Sequence, residues 1–276
     1  MEEENVKRVV RDAYARVAKR ETAIPSLKSS CCGDSPTLAH DVSRAIGYNE
    51  EELASVPDGA NLGLGCGNPT ALASLQEGET VLDLGSGAGF DCFLAANAVE
   101  ADGTVIGVDM TPEMIEKARA NARKGGYRNV DFRLGELEHL SVADSSVDVI
   151  ISNCVINLAP DKAIVFGEAF RVLKPGGRLS VSDMVLLKEL PPAIRDSAAG
   201  YVGCISGAIK KDAYLETIRT AGFTDVHIVE EFMFPLECIV SDPSAQAIAN
   251  DLNLSPEEIR DLTQAVVSIK VAGTKP

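Results

Sequence analysis

An α/β fold with an open, mostly parallel, doubly wound sheet is predicted by three observations on this 276-residue chain. From residue 80 onward, apolar strand-like runs alternate with helical segments. Gly85, Gly87 and Gly89 form a loop between the first such strand and the first such helix. Two late runs, DVHIVEEFMF and AVVSIKVAGT, can pair as antiparallel edge strands.

The elements follow in order. Val6, Val9, Val10, Ala13, Tyr14 and Val17 recur at helical spacing among charges, which predicts an amphipathic helix acting as a cover. TAIPSLKSSCCGDSPT, with Cys31 and Cys32, reads as a loop, and LAHDVSRAIGYNEEELASVP as one or two short helices. Then come the strand TVLDLG, the helix FDCFLAANAV, the strand TVIGVDM and the helix TPEMIEKARANARKGG. Thr111 is placed to cap that last helix with Pro112 at its first position, and Gly125 and Gly126 end it. NVDFRLG and VDVIISN are strands, KAIVFGEAFRVLKPGG is a helix and RLSVSDMVL a strand. A helix and strand in AYLETIRTAGFTDVHIVEEFMF, then a helix and strand in PEEIRDLTQAVVSIKVAGTK, close the chain.

Composition narrows the function. At 45% hydrophobic residues the chain can bury a large core, and it fits one domain with or without an appendage. A net charge of −15, from 41 acids against 26 lysines and arginines, argues against nucleic acid, whose affinity rests on cationic neutralisation. No apolar run reaches the roughly 20 residues of a membrane helix, and MEEENVKRVV is too charged for a signal peptide. A cytoplasmic protein with a small-molecule substrate is expected. Seven cysteines, odd in number and without framework spacing, do not suggest a secreted disulfide scaffold.

The glycine loop permits tight turning and close backbone approach to a ligand beside a helix N-terminus. Asp83 precedes it on the strand. The next strand ends at Asp109, 24 positions beyond Gly85, where a carboxylate can accept from both hydroxyls of a ribose. Either a nicotinamide dinucleotide or S-adenosylmethionine fits. Phe90 stands where the dinucleotide fingerprint has its third glycine, which weakens the dehydrogenase alternative.

VLDLGSGAGFD, GVDMTPEMIEKARANA, RLGELEHLSVADSSVDVIISNCVIN and RVLKPGGRLSVSD, in order between residues 81 and 183, resemble the motifs of class I S-adenosylmethionine-dependent methyltransferases. The resemblance implies a Rossmann-like sheet that binds S-adenosyl-L-methionine. It sets the cofactor's methionine end against Asp83, Gly85, Ser86, Gly87, Gly89 and Asn153, the ribose on Asp109, and the adenine by Met110, Glu136 and Leu137. Packing alone is the alternative for Met110 and Leu137, and a solvated loop charge for Glu136.

The acceptor has to be read from the cysteines, because sites rather than folds carry function. Cys154 lies at the end of the VDVIIS strand, and Cys66 and Cys204 lie in the glycine turns GLGCGNP and YVGCISGA. Separations of 88 and 50 residues mean that only the tertiary fold could join them. Cys92, within an apolar helix, and Cys238, in FPLECIV, read as packing. Converging thiolates select soft, thiophilic centres, and three sulfurs suit pyramidal trivalent arsenic. His40, His139 and His227 share no motif, which disfavours zinc. Methylation of a small organic metabolite and a non-catalytic metalloid-binding sensor are the rival readings.

GLGCGNP, SNCVINL and YVGCISGA, set on this core, resemble the arsenite methyltransferases over most of the chain. The resemblance implies Cys154 and Cys204 as lasting As(III) ligands, with Cys66 as third ligand and redox partner. An N-terminal cysteine also belongs to that scheme. Both Cys31 and Cys32 could fill the place, and Cys32 is favoured because it adjoins Gly33. Arsenite and then methylarsenite are the implied substrates, with thioredoxin or small thiols as reductant. Three regions are expected: an N-terminal helical and loop cover over 1–65, a cofactor-binding core over 66–185, and an arsenic-site and sheet-completing region over 186–276.

Overall fold

The computed structural model describes residues 3–19, 36–195, 197–233, 255 and 263–276, so Cys31, Cys32 and Cys238 lie outside the described residues. Helix α1 (Glu3–Lys19) buries Val6 and Val10. Short helices α2 (Pro36–Ala45), α3 (Glu50–Ser55) and α4 (Pro69–Leu72) lead into the sheet region. Helix α3 starts with a reciprocal cap, in which Asn49 Oδ1 accepts from Glu52 N–H and the Glu52 carboxylate accepts from Asn49 N–H.

Strand β1 (Thr80–Leu84), helix α5 (Phe90–Val99), strand β2 (Thr104–Asp109), helix α6 (Pro112–Gly125) and strand β3 (Val130–Leu134) build one half. Strand β4 (Val147–Asn153), helix α7 (Lys162–Val172) and strand β5 (Leu173–Leu186) build the other. Helices α8 (Pro192–Arg195), α9 (Ala198–Val202) and α10 (Lys211–Thr220) precede strands β6 (Thr224–Phe232) and β7 (Val266–Thr274).

The sheet order is β3-β2-β1-β4-β5-β7-β6. β1 to β5 run parallel, while β7 is antiparallel to both β5 and β6. Alternate residues of the central strands enter opposite layers. Val81, Val105, Val149 and Ile151 pack with Phe93 and Ile115, whereas Leu82, Ile106 and Ile150 pack with Phe166 and Tyr214. Burial on both faces is why these strands read as continuous apolar runs.

One boundary differs from the sequence expectation. The helix starting at Lys162 stops at Val172, and the LKPGG segment opens β5. Pro175 cannot continue a helix. Leu173 pairs with Val147 across an irregular register, and Lys174 Nζ reaches both Asp148 carboxylate oxygens at 2.8 Å. Thr111 does occupy the cap position of α6, but its side chain makes no capping bond. Its N–H instead donates to Asp109 Oδ1 at 2.8 Å.

The chain moves outward from β1 through β2 to β3, then returns to place β4 on the other side of β1. A crevice forms beyond the carboxyl ends of the strands at such a reversal.

Candidate active site

That crevice is a cavity of about 590 Å³, roofed by Lys7, Val10 and Tyr14 of α1. The loop after β1 lines one end. Gly85 (φ 76°) and Gly87 (φ 51°) adopt left-handed backbone that favours glycine. A Cβ on Gly85 would overlap the Val155 side chain, whereas one on Gly87 would meet nothing within 4 Å, so the loop leaves an open cradle at Gly87. Ser86 lines the cavity, and its buried Oγ has no hydrogen-bond partner among the described residues. Asp109 accepts from Gly87 N–H at 3.0 Å as well as from Thr111 N–H. Burial pushes its carboxyl up, against the pull of those two amides. Asp83, Met110 and Leu137 also line this end. Burial raises the Asp83 carboxyl strongly, and it accepts from the Cys92 thiol at 3.2 Å. Cys92 is therefore packing, as its apolar helix suggests.

The other end holds thiols. Cys66, Cys154 and Cys204 all line the cavity. The Cys154 and Cys66 sulfurs lie within 4.8 Å of each other, and the Cys204 thiol donates to the Cys154 carbonyl at 3.0 Å. The Cys204 contact, then the Cys66 contact and burial, push the Cys154 thiol well up; burial is the main cause of the rise at Cys66. Cys154 (φ 56°) and Cys204 (φ 61°) are held in left-handed backbone, which is uncommon without glycine.

Cys66 lies between Gly65 and Gly67, and both glycines are needed there. A Cβ on Gly65 would come within 2.7 Å of the Asn153 amide, and one on Gly67 would overlap Ser182 Oγ. Asn153 grips this loop on both sides of the cysteine: its Oδ1 accepts from Cys66 N–H at 2.9 Å and its Nδ2 donates to Gly67 C=O at 2.8 Å. Ser268, from β7, donates to the Cys66 carbonyl at 2.7 Å. One cavity thus joins a glycine loop with its acidic partner to three cysteines from distant parts of the chain.

Residues 75–222 match the family described as a methyltransferase domain. The arsenite methyltransferase of Halobacterium salinarum is 44% identical over 99% of this chain and 67% of its own length. This chain belongs to the arsenite methyltransferase family. The human arsenite methyltransferase is 36% identical over 81% of this chain and 60% of its own length. The chain thus spans about two thirds or less of these curated relatives. The crystal structure of CrArsM, an arsenic(III) S-adenosylmethionine methyltransferase from Chlamydomonas reinhardtii, superposes with a TM-score of 0.62 at 33% identity. That match covers 85% of this chain and 73% of the algal one.

Methyltransferases of this family use S-adenosylmethionine, as the algal structure does by its description. Three of the expected positions are placed as follows. Gly89 is absent from the cavity lining. It turns the chain into α5 at φ 96°, and a Cβ there would meet Phe93 and Phe132 within 2.8 Å. Glu136 does not line the cavity; its carboxylate accepts from Lys7 at 2.7 Å, and the acid facing the cavity is Glu138. Asn153 lines the cavity but spends its amide on Tyr48, Gly67, Asp91 and the Cys66 N–H.

Two residues at the thiol end escape a reading of motifs. Asp183 lies within 4.8 Å of the Cys66 and Cys154 sulfurs. Burial pushes its carboxyl up to about 6. The signal for it is an acid inside the strand SVSDMVL, followed by the apolar residues Met184, Val185 and Leu186. Tyr14 donates to Val202 C=O at 3.3 Å, and its hydroxyl is pushed well up by burial and then by Cys204 and Cys154. Helical periodicity assigned it to a packing face and carried no hint of the thiols.

Proposed function

We propose that this chain transfers methyl groups from S-adenosylmethionine to trivalent arsenic held by Cys66, Cys154 and Cys204. The observation that carries the reading is the one cavity lined by the glycine loop, Asp109 and the three thiols. In this reading Asp83, Gly85, Ser86, Gly87 and the wall at Asn153 take the cofactor's methionine end, Asp109 its ribose, and Met110 and Leu137 its adenine. The unpartnered Ser86 hydroxyl and the open cradle at Gly87 support the fit. When bound, the cofactor supplies an electrophilic methyl carbon on a positively charged sulfur.

The chain's own work is to hold arsenic and to exclude water. Each thiol condenses with one As–OH of arsenite, forming an As–S bond and releasing water. Three sulfurs leave the arsenic lone pair as the nucleophile, and this pair carries no proton, so no general base is required. Proximity and alignment then supply most of the rate. Tyr14, Val10 and Leu158 close the cavity over the thiols.

Methylation raises arsenic to the pentavalent state. The Cys32 thiol attacks the arsenic-bound Cys66 sulfur, the As–S bond breaks with its electron pair going to arsenic, a disulfide closes with release of one proton, and thioredoxin or small thiols reopen that disulfide. Methylarsenite is the second substrate. Among the described residues no helix is long and apolar enough to cross a membrane. We place the enzyme in the reducing cytoplasm, with a cover over 1–65, a cofactor core over 66–185 and a region over 186–276 that completes both sheet and arsenic site. Incubation with arsenite, thiol and methyl-labelled cofactor, followed by arsenic speciation, tests the proposal. Labelled methylarsenic is expected, and its absence overturns the reading.

A further inference from the structure

We infer that Cys66, Cys154 and Asp183 form a site for a thiophilic divalent cation of the zinc or cadmium kind, which shares two thiols with the arsenic site but takes a carboxylate as third ligand. Metal bonds of about 2.0–2.3 Å in tetrahedral geometry separate neighbouring ligand atoms by roughly 3.5 Å. The two sulfurs and a carboxylate oxygen already lie within 4.8 Å of one another, so small side-chain rotations close the set. Two sulfurs and one oxygen make a borderline-soft donor set that suits zinc or cadmium, whereas trivalent arsenic favours sulfur throughout. Cys204 falls outside this mutually close set and donates its thiol to the Cys154 carbonyl.

The surroundings of Asp183 resemble those of a ligating carboxylate. Its Oδ1 accepts from Asn157 Nδ2 and Met184 N–H, each at 2.9 Å, and its Oδ2 accepts from the Tyr214 hydroxyl at 3.1 Å. Such partners fix the orientation of metal-bound carboxylates. Two thiolates and a carboxylate carry three negative charges, of which a divalent cation neutralises two. Cys66 and Cys154 line the cavity, so the cation's remaining position opens toward it. Zinc or cadmium bound here excludes arsenite from Cys66 and Cys154.

This inference does not depend on the arsenic reading, and its test is separate. Full-length protein carrying Cys31→Ser, Cys32→Ser and Cys238→Ser is titrated with cadmium chloride, following the ultraviolet thiolate-to-cadmium charge-transfer band. One cation per chain is expected, with the band abolished by Cys66→Ser or Cys154→Ser. Affinity should fall about tenfold or more in Asp183→Asn, as expected for loss of a metal-site carboxylate, and change by less than about threefold in Cys204→Ser. Circular dichroism checks that each variant folds. Asp183→Cys supplies an independent readout: a third thiolate should raise the band by about one half relative to two thiolates. Unchanged cadmium affinity in Asp183→Asn, an unchanged band in Asp183→Cys, or loss of binding in Cys204→Ser overturns the site.

Discussion

Replacing Asn153 with alanine tests how the chain brings two cysteines together. The side chain grips the Cys66 loop through Cys66 N–H and Gly67 C=O, and it belongs to the residue next to Cys154. Without it, the loop of the free protein can relax toward water and satisfy those two backbone groups. In the mechanism proposed above arsenite takes Cys66, so its binding must then draw the loop back and leave both groups unpaired. At about 1 kcal/mol for each, the penalty is about 2 kcal/mol, or roughly 30-fold in affinity. If methylarsenite takes only Cys154 and Cys204, as that mechanism has it, its affinity should change by less than about threefold by the same reasoning. Calorimetric titration of Asn153→Ala with both arsenicals and with the cofactor separates the cases, with thermal melting as a folding control. Equal losses for the two arsenicals, or a large loss confined to the cofactor, would refute the clamp and return Asn153 to the cofactor's methionine end.

Three further outcomes follow. Asp109→Ala should weaken cofactor binding by roughly 1.5–3 kcal/mol, for loss of charge-assisted hydrogen bonds, and leave arsenite binding nearly intact; unchanged cofactor affinity removes Asp109 from the site. Cys154→Ser and Cys204→Ser should abolish methylation of both arsenicals, because a hydroxyl is too hard to replace a thiolate. Cys32→Ser and Cys66→Ser should lose arsenite methylation but keep that of methylarsenite, as product analysis of all four variants will reveal. Burial at Cys66, and at Cys154 first its hydrogen bond to Cys204, hold both thiols above their usual range and protonated near neutral pH. Their condensation with neutral As–OH therefore exchanges no net proton, and binding heats in buffers of different ionisation enthalpy should agree. Net proton uptake would mean that these thiols rest as thiolates.

The order of strands and helices was legible because each signal was local. β1, β2 and β4 are apolar runs covered on both faces, α6 has Pro112 at its start, and Gly126 ends it at φ 74°. The onset of β5 was hidden, since LKPGG reads as the end of a helix until Asp148, 26 positions before Lys174, lies beside that lysine. The cofactor end was mostly legible for the same reason. There Glu136 reaches Lys7 of a remote helix while Glu138 lines the cavity, an arrangement that no local signal carries. At the thiol end nothing local joins Cys66, Cys154 and Cys204, and only resemblance to a family linked them in advance. Asp183 and Tyr14 carry no motif, and their roles exist only where β5, β4, α1 and α9 meet.

The left-handed backbone at Cys154 and Cys204 sets a trap for anyone engineering this protein to withstand heat. A non-glycine residue in that conformation carries a penalty of roughly 1–2 kcal/mol that glycine escapes. A screen that rewards folded protein alone would favour glycine at the two positions on which arsenic capture is proposed to depend. Ranking variants by melting temperature would then promote inert ones, so a useful selection has to couple survival to arsenic chemistry.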